Sequence, residues 1–181
     1  NNIGRDRTAP AIYLENSRLN MSYSSVVNDM NINNTVTATY GDEKPGLVLI
    51  NNNWWGTNDP SSTIFGTNIT MDNWVIMNVE ANATNVLPGD EVKLTVDFNH
   101  IMTSAGEIEE LTGGTIPKEA YTVVFTAENG TVSPETLTIN KGASGEAVFT
   151  ANDANSLQKP LAFSLTLVTV SLLIFFIDSP L

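Results

Sequence analysis

Residues 51–60 read Asn-Asn-Asn-Trp-Trp-Gly-Thr-Asn-Asp-Pro (NNNWWGTNDP), and this stretch decides how the chain is organised. In an extended segment, Trp54 and Trp55 point to opposite faces. One can lie over the open end of a stacked β-solenoid core while the other covers its flank. Gly56 allows a sharp turn, and Asn58-Asp59-Pro60 cannot continue a strand ladder. A solenoid needs such a closing device, because its last coil has an exposed core and an unpaired edge. A strand and turn in any β-domain with a Trp-rich core is the competing reading.

Upstream, residues 1–70 hold short apolar pieces separated by Asn, Ser and Gly: Ala11–Leu14, Val26–Val27, Thr35–Tyr40 and Leu47–Ile50. Their spacing predicts two or three coils of about 20–25 residues. The Asn clusters at 31–34 and 51–53 fall near strand borders, where side-chain amides could bond from coil to coil. A helix is excluded, since Asn is a poor helix former and no segment of useful length keeps an i, i+3, i+4 apolar stripe.

The texture changes after residue 70. Trp74–Glu80 opens a region of longer strands. Glu91–Asn99 puts Val92, Leu94, Val96 and Phe98 on one face and Lys93, Thr95, Asp97 and Asn99 on the other, the signature of a half-buried strand. Tyr121–Ala127 alternates in the same way, and Thr136–Ile139 and Glu146–Ala151 follow. Pro88-Gly89-Asp90 predicts a tight turn into the long strand, and Asn129-Gly130 a hairpin. Residues 74–170 are long enough for a seven-stranded sandwich, with Val92, Leu94, Val96, Phe98, Val123 and Phe125 as its core.

The totals restrict function. The formal charge of −12, from 20 acidic and 8 basic residues, argues against nucleic acid as a partner, which requires basic patches. It disfavours anionic lipid as well. Charged residues are only 15% of the chain, and Asn and Thr fill the polar positions. With no cysteine, neither a disulfide nor a thiolate metal site can form. The chain begins Asn1-Asn2, without Met, and reads as the C-terminal piece of something longer.

The order of these motifs resembles the adhesin-like surface proteins of methanogenic archaea. The residues that carry the resemblance are NNNWWGTNDP at 51–60, NWVIMNV at 73–79, LPGDEVKLTVDFNH at 87–100 and GEIEELTGGTIPKEAYTVVFTAENGTVSP at 106–134. The similarity covers roughly residues 45–151, in the family's order and spacing. It implies a right-handed parallel β-helix ending in an Asn-rich Trp-Trp-Gly segment, followed by a bacterial-immunoglobulin-like domain. It also implies a cell-surface protein that holds onto other cells or matrices, and it carries over no catalytic residue. Two departures stand out. Asp59 runs straight into Pro60, where the family usually has an intervening Gly, and the sequence beyond about residue 155 does not look like the family's closing strand.

Candidate sites are sparse. His100, the only histidine, would have to serve any His-based metal site or Ser–His–acid triad; the favoured reading is an exposed residue at a loop edge. Glu107, Glu109 and Glu110 precede Gly113-Gly114 and could supply an oxygen-rich calcium site, although the spacing matches no EF-hand and a solvated loop is favoured. Asp42-Glu43 and Asp59 lie on turns of the coiled region. Carboxylates along such a groove serve polysaccharide lyases, yet Lys44 is the only basic residue between Arg18 and Lys93. Asn-x-Ser/Thr sequons occur at Asn20, Asn33, Asn68, Asn82 and Asn129; Asn82 and Asn129, near predicted turns, are the better acceptors in an exported chain.

Residues 161–177, LAFSLTLVTVSLLIFFI, carry no charge. Seventeen residues are at the lower limit for a membrane span. The alternative, which is favoured, is the sandwich's closing strand with Leu172–Ile177 as an apolar overrun. The sequence thus predicts an all-β chain: the terminal coils of a right-handed parallel β-helix over 1–70, an immunoglobulin-like β-sandwich over 74–170, and an apolar tail over 171–181. The expected function is non-catalytic, without cofactor or metal. It is that of a surface adhesin-like protein with a glycan or protein ligand, and attachment to a membrane or envelope would run through the tail. Residues Trp54, Trp55, Gly56, Pro88 and Gly89 are expected to be structural. The rival functions are the tail of a β-helix polysaccharide lyase or hydrolase and an envelope stalk without a ligand.

Overall fold

A computed structural model describes residues 9–37, 46–83, 86–116, 121–128, 130–139, 144–152, 161–167 and 170–176, the last two segments as backbone. The chain is all-β: fifteen strands and one 3-10 turn, Pro60–Thr63, make up the regular structure of the described residues. Pairing is parallel among the first six strands and antiparallel in the ladders formed among residues from 91 onward. The chain divides into two compact units. Unit 1 is residues 1–77 with 98–117, and unit 2 is residues 78–97 with 118–181.

In unit 1 the strands are short, because Asn and Ser interrupt every apolar run. Strands β1 (Ile12–Glu15), β3 (Ile32–Thr35) and β5 (Ile64–Gly66) form one three-stranded sheet, and β2 (Leu19–Asn20), β4 (Val48–Leu49) and β6 (Ile69–Thr70) form another. Ile12, Ile32 and Ile64 share one register row, and Leu19, Val48 and Ile69 another. Parallel neighbours need long crossovers, and the chain supplies them by passing through both sheets in turn. The passes are unequal: Ile32 follows Ile12 by 20 residues and Ile64 follows Ile32 by 32. The uniform 20–25-residue period expected from the sequence is therefore too regular. The longer pass contains Asp42, Glu43 and Lys44, which lie outside the described residues.

Val26, Ile32, Val48, Ile50 and Trp55 are fully buried together, with Leu14, Leu19, Ile64, Ile69 and Trp74 packed around them. Burying a side chain of this kind contributes about 1.5–3 kcal/mol. This cluster stabilises a unit whose individual strands are too short to persist alone.

Strand β7 (Asn73–Ala81) is divided between the units at Met77, and β8 (Glu91–Thr103) at Asp97. Residues 98–117 group with unit 1 rather than with the later strands. The reason lies in their partners. The Phe98 ring stands edge-on to Trp54, with centroids 5.1 Å apart and planes at 71°. Ser104 N–H donates to the Asp72 carbonyl at 2.7 Å, and the Tyr23 hydroxyl donates to the Thr112 carbonyl at 2.9 Å. Phe98 therefore leaves the core set expected from its period-two position. Val92, Leu94 and Val96 are buried on alternate residues as expected, but Asp97 and Phe98 are both buried and Ile101 follows out of phase.

Unit 2 holds two sheets. One has the order β12-β10-β14-β15, built from β10 (Tyr121–Glu128), β12 (Thr136–Ile139), β14 (Leu161–Leu167) and β15 (Val170–Phe176). The other runs β11-β13-β8-β7, with β11 (Gly130–Ser133) and β13 (Gly145–Ala151). Val123, Phe125, Ile139, Ala147 and Phe149 are buried, each on the inward phase of its strand. Residues 170–176 form β15, paired antiparallel with β14 from Leu161↔Phe176 to Leu167↔Val170. The segment read as an overrun beyond one closing strand is the second arm of a hairpin. No helix of the described residues is long and apolar enough to cross a membrane.

Candidate functional site: the tryptophan turn and the asparagine layers

Trp54 and Trp55 occupy the point where the passes of unit 1 meet strand β7. Both are buried, and they diverge: Trp55 enters the aliphatic cluster, whereas Trp54 turns to Phe98. The backbone around them is tied on both sides. Trp54 N–H donates to the Ser24 carbonyl at 2.8 Å, Val26 N–H to the Trp54 carbonyl at 2.9 Å, and Val75 N–H to the Asn53 carbonyl at 2.9 Å. Gly56 has φ +82°, and a Cβ there would sit 2.8 Å from Val27 Cγ1. Trp74 Nε1–H donates to the Asn58 carbonyl at 2.8 Å, so the turn carries a third indole.

Asparagine amides link one pass to the next where strand pairing stops. Asn31, fully buried, donates through Nδ2 to the Trp55 carbonyl and to Thr63 Oγ1, both at 2.9 Å, and accepts from Asn28 N–H at 2.8 Å. Asn53 donates to the Met21 carbonyl at 2.9 Å and accepts from Ser24 N–H at 3.0 Å. Asn34 donates to the carbonyls of Gly46 and Thr67, both at 2.7 Å. Asn51 accepts from Asp72 N–H at 2.8 Å, and Asn58 both accepts from and donates to the Met77 backbone, at 2.8 and 3.0 Å. Asn suits this work because one short side chain offers both a donor and an acceptor. Buried backbone groups at strand ends must find partners, and these amides supply them.

The Asp59–Pro60 step forms a capped 3-10 turn. Asp59 Oδ1 accepts from Ser61 N–H at 3.1 Å with Pro60 at the first helical position. Hydrogen bonds from the Ser61 side chain and backbone hold the Asp59 carboxyl below its ordinary value. In unit 2, Leu87, Pro88, Gly89 and Asp90 make a type II turn: Gly89 has φ +83° and Asp90 N–H donates to the Leu87 carbonyl at 3.0 Å. The turn is anchored to β13, since Gly89 N–H donates to the Ala151 carbonyl and Ala151 N–H to the Asp90 carbonyl, both at 3.0 Å.

The residues singled out for chemistry do not converge. His100 is half-buried within β8 and faces Glu110 of β9 (Ile108–Glu110) across the ladder; it is not the loop-edge residue expected, because β8 runs on to Thr103. Glu107 lies in the turn between β8 and β9, where its backbone N–H donates to Thr103 Oγ1 at 3.1 Å. Glu109 and Glu110 are neighbours on an extended strand and so point apart. Among the described residues, no group of three or more His, Asp or Glu side chains could hold a metal ion. Asn82 is exposed, and its Oδ1 accepts from Lys93 N–H at 2.8 Å; Asn129 lies outside the described residues. Sequence reasoning missed Tyr23, which takes φ +52° and lays its ring over Gly113-Gly114, where a Cβ on Gly114 would fall within 2.5 Å of it. The signal was the Gly-Gly pair itself, which marks backbone approached closely by another group.

No family model, no curated protein and no solved structure matches this chain.

Proposed function

We propose that this chain is a piece of an extracellular, surface-displayed adhesin-like protein with a non-catalytic binding and spacing role. In this reading unit 1 is the end of a right-handed parallel β-helix and unit 2 an immunoglobulin-like sandwich. The observation that carries it is the combination in unit 1 of parallel register rows, amide bonds from pass to pass, and a buried Trp54-Trp55 turn. The two-sheet arrangement of unit 2 supports a sandwich that acts as a stiff spacer. The excess of acidic residues keeps such a surface soluble. Asn82 carries glycan if the protein is exported, and the apolar β14–β15 hairpin is the segment through which it would attach to a membrane or envelope. The partner is a glycan or protein on an opposing surface.

The test is accessibility on living cells that make the protein. Antibody raised against the purified chain is expected to label intact cells, and brief external protease to remove the label. Labelling that appears only after permeabilisation would overturn the assignment.

A further inference from the structure

The outward face of the β1-β3-β5 sheet carries a row of side chains that takes no part in the aliphatic cluster of unit 1. Tyr13, Asn33 and Phe65 occupy one register row across the three strands. Tyr13 is 56% exposed and Phe65 41%, and Asn33 between them is half-buried. Single exposed apolar residues are ordinary, but large ones are few here. Among the described residues they are Tyr13, Phe65, Leu87 and Ile108, and two of the four share this one row. Neighbouring strands lie about 4.8 Å apart, so the two rings stand roughly 10 Å apart with an amide midway. On the same face, exposed Glu15 is in register with half-buried Thr35.

We propose that this row is a docking platform for a neutral glycan chain, with Tyr13 and Phe65 stacking on sugar rings and Asn33 bonding the hydroxyls between them. A pyranose presents an apolar C–H face and a rim of hydroxyls. An aromatic ring matches the face, and an amide, donor and acceptor at once, matches the rim. Two strand steps separate the rings by the same order of length as two linked sugars. The three strands, IYLE, INNT and IFG, contain no Lys or Arg. With Glu15 on the face and a chain charge of −12, uronates, nucleic acids and anionic headgroups are repelled, which leaves an uncharged, hydroxyl-rich polymer as the complementary ligand. A protein partner would favour a wider continuous apolar patch than two rings parted by an amide. The proposal deepens the surface-binding reading above and rests on it for where the ligand is met.

The experiment is affinity electrophoresis of the whole chain through native gels containing hydroxyethylcellulose, galactomannan, a β-1,3-glucan or polygalacturonate. At least one neutral polymer is expected to retard the protein and polygalacturonate is not. Tyr13→Ala and Phe65→Ala should each weaken retention about tenfold, as expected for the loss of one aromatic anchor, without lowering the melting temperature. Tyr13→Phe should retain binding, and Leu87→Ala and Ile108→Ala should leave it unchanged. Retardation by none of the neutral polymers, by polygalacturonate alone, or undiminished in the Tyr13→Ala/Phe65→Ala double variant would overturn the platform. If the platform fails while intact cells still take up antibody, the surface assignment stands. If cells do not label but the row-specific retardation is seen, the platform stands and only the location falls.

Discussion

At the scale of single residues, unit 1 depends on two kinds of side chain for different reasons. Trp55 supplies bulk. It is 1% exposed and the largest member of the aliphatic cluster, so its removal loses transfer free energy and leaves a cavity that short, heavily bonded strands cannot easily close. Trp55→Ala is expected to destabilise unit 1 by about 3–5 kcal/mol. Urea unfolding followed by the fluorescence of Trp54 and Trp74 would measure this, and a loss below about 1 kcal/mol would mean that the cluster does not depend on Trp55. The asparagines supply pairing instead of bulk. Asn31 satisfies the Trp55 carbonyl, Thr63 Oγ1 and the Asn28 N–H at once, so its burial is compensated group by group. The amide pairing was legible in the Asn clusters, because chemistry of this kind is local to a residue type, whereas the sequence expectation put the tryptophans over an end or flank of the core and Trp55 lies within the aliphatic cluster. The glycan-platform row was not legible. Tyr13 and Phe65 are far apart in sequence, and only the unequal lengths of the passes bring them into one row.

At the scale of elements, turns and strands differed in how far the sequence could be read. The Pro88-Gly89 turn was legible because one positive φ and one fixed φ determine its type. Strand β8 was legible only as far as Val96. Beyond it Asp97 is buried and Phe98 turns to Trp54, a long-range partner that period-two counting cannot anticipate. The second arm of the β14–β15 hairpin is not legible as a strand, because the unbroken apolar run Leu172–Phe176 gives no alternation to count. Two of the positive-φ glycines, Gly56 and Gly89, provide a measurable contrast. At Gly89 an added Cβ meets nothing within 4 Å, so Gly89→Ala carries only the backbone penalty, about 1–2 kcal/mol. At Gly56 the same penalty is joined by a Cβ pressed to 2.8 Å from Val27 Cγ1, and the total is expected to reach roughly 2–4 kcal/mol. Chemical denaturation of the two variants tests the order. Equal losses would mean that Val27 yields freely and that the close approach at Gly56 has no energetic consequence.

At the scale of the whole molecule, the two compact units have cores of different make-up. Unit 1 buries tryptophan and aliphatic side chains, with Phe98, around parallel passes, whereas unit 2 buries Val, Leu, Ile, Ala and Phe but no tryptophan, between strands paired mostly antiparallel. A chain with two cores is not bound to unfold in one step, and the distribution of indoles allows each core to be followed. Trp54, Trp55 and Trp74 are the only tryptophans, and all three belong to unit 1. Indole fluorescence therefore reports unit 1 alone, while far-ultraviolet circular dichroism reads the strands of both. The two signals are expected to trace different urea midpoints in the unaltered protein. Trp55→Ala should move the fluorescence midpoint to lower urea and change only part of the dichroism transition. Superimposable curves in the unaltered protein, displaced together by the substitution, would mean that β7 and β8, which each contribute residues to both units, bind the two cores into a single cooperative fold. In that case the loss measured for Trp55→Ala would be a property of the whole chain and no longer of the tryptophan turn.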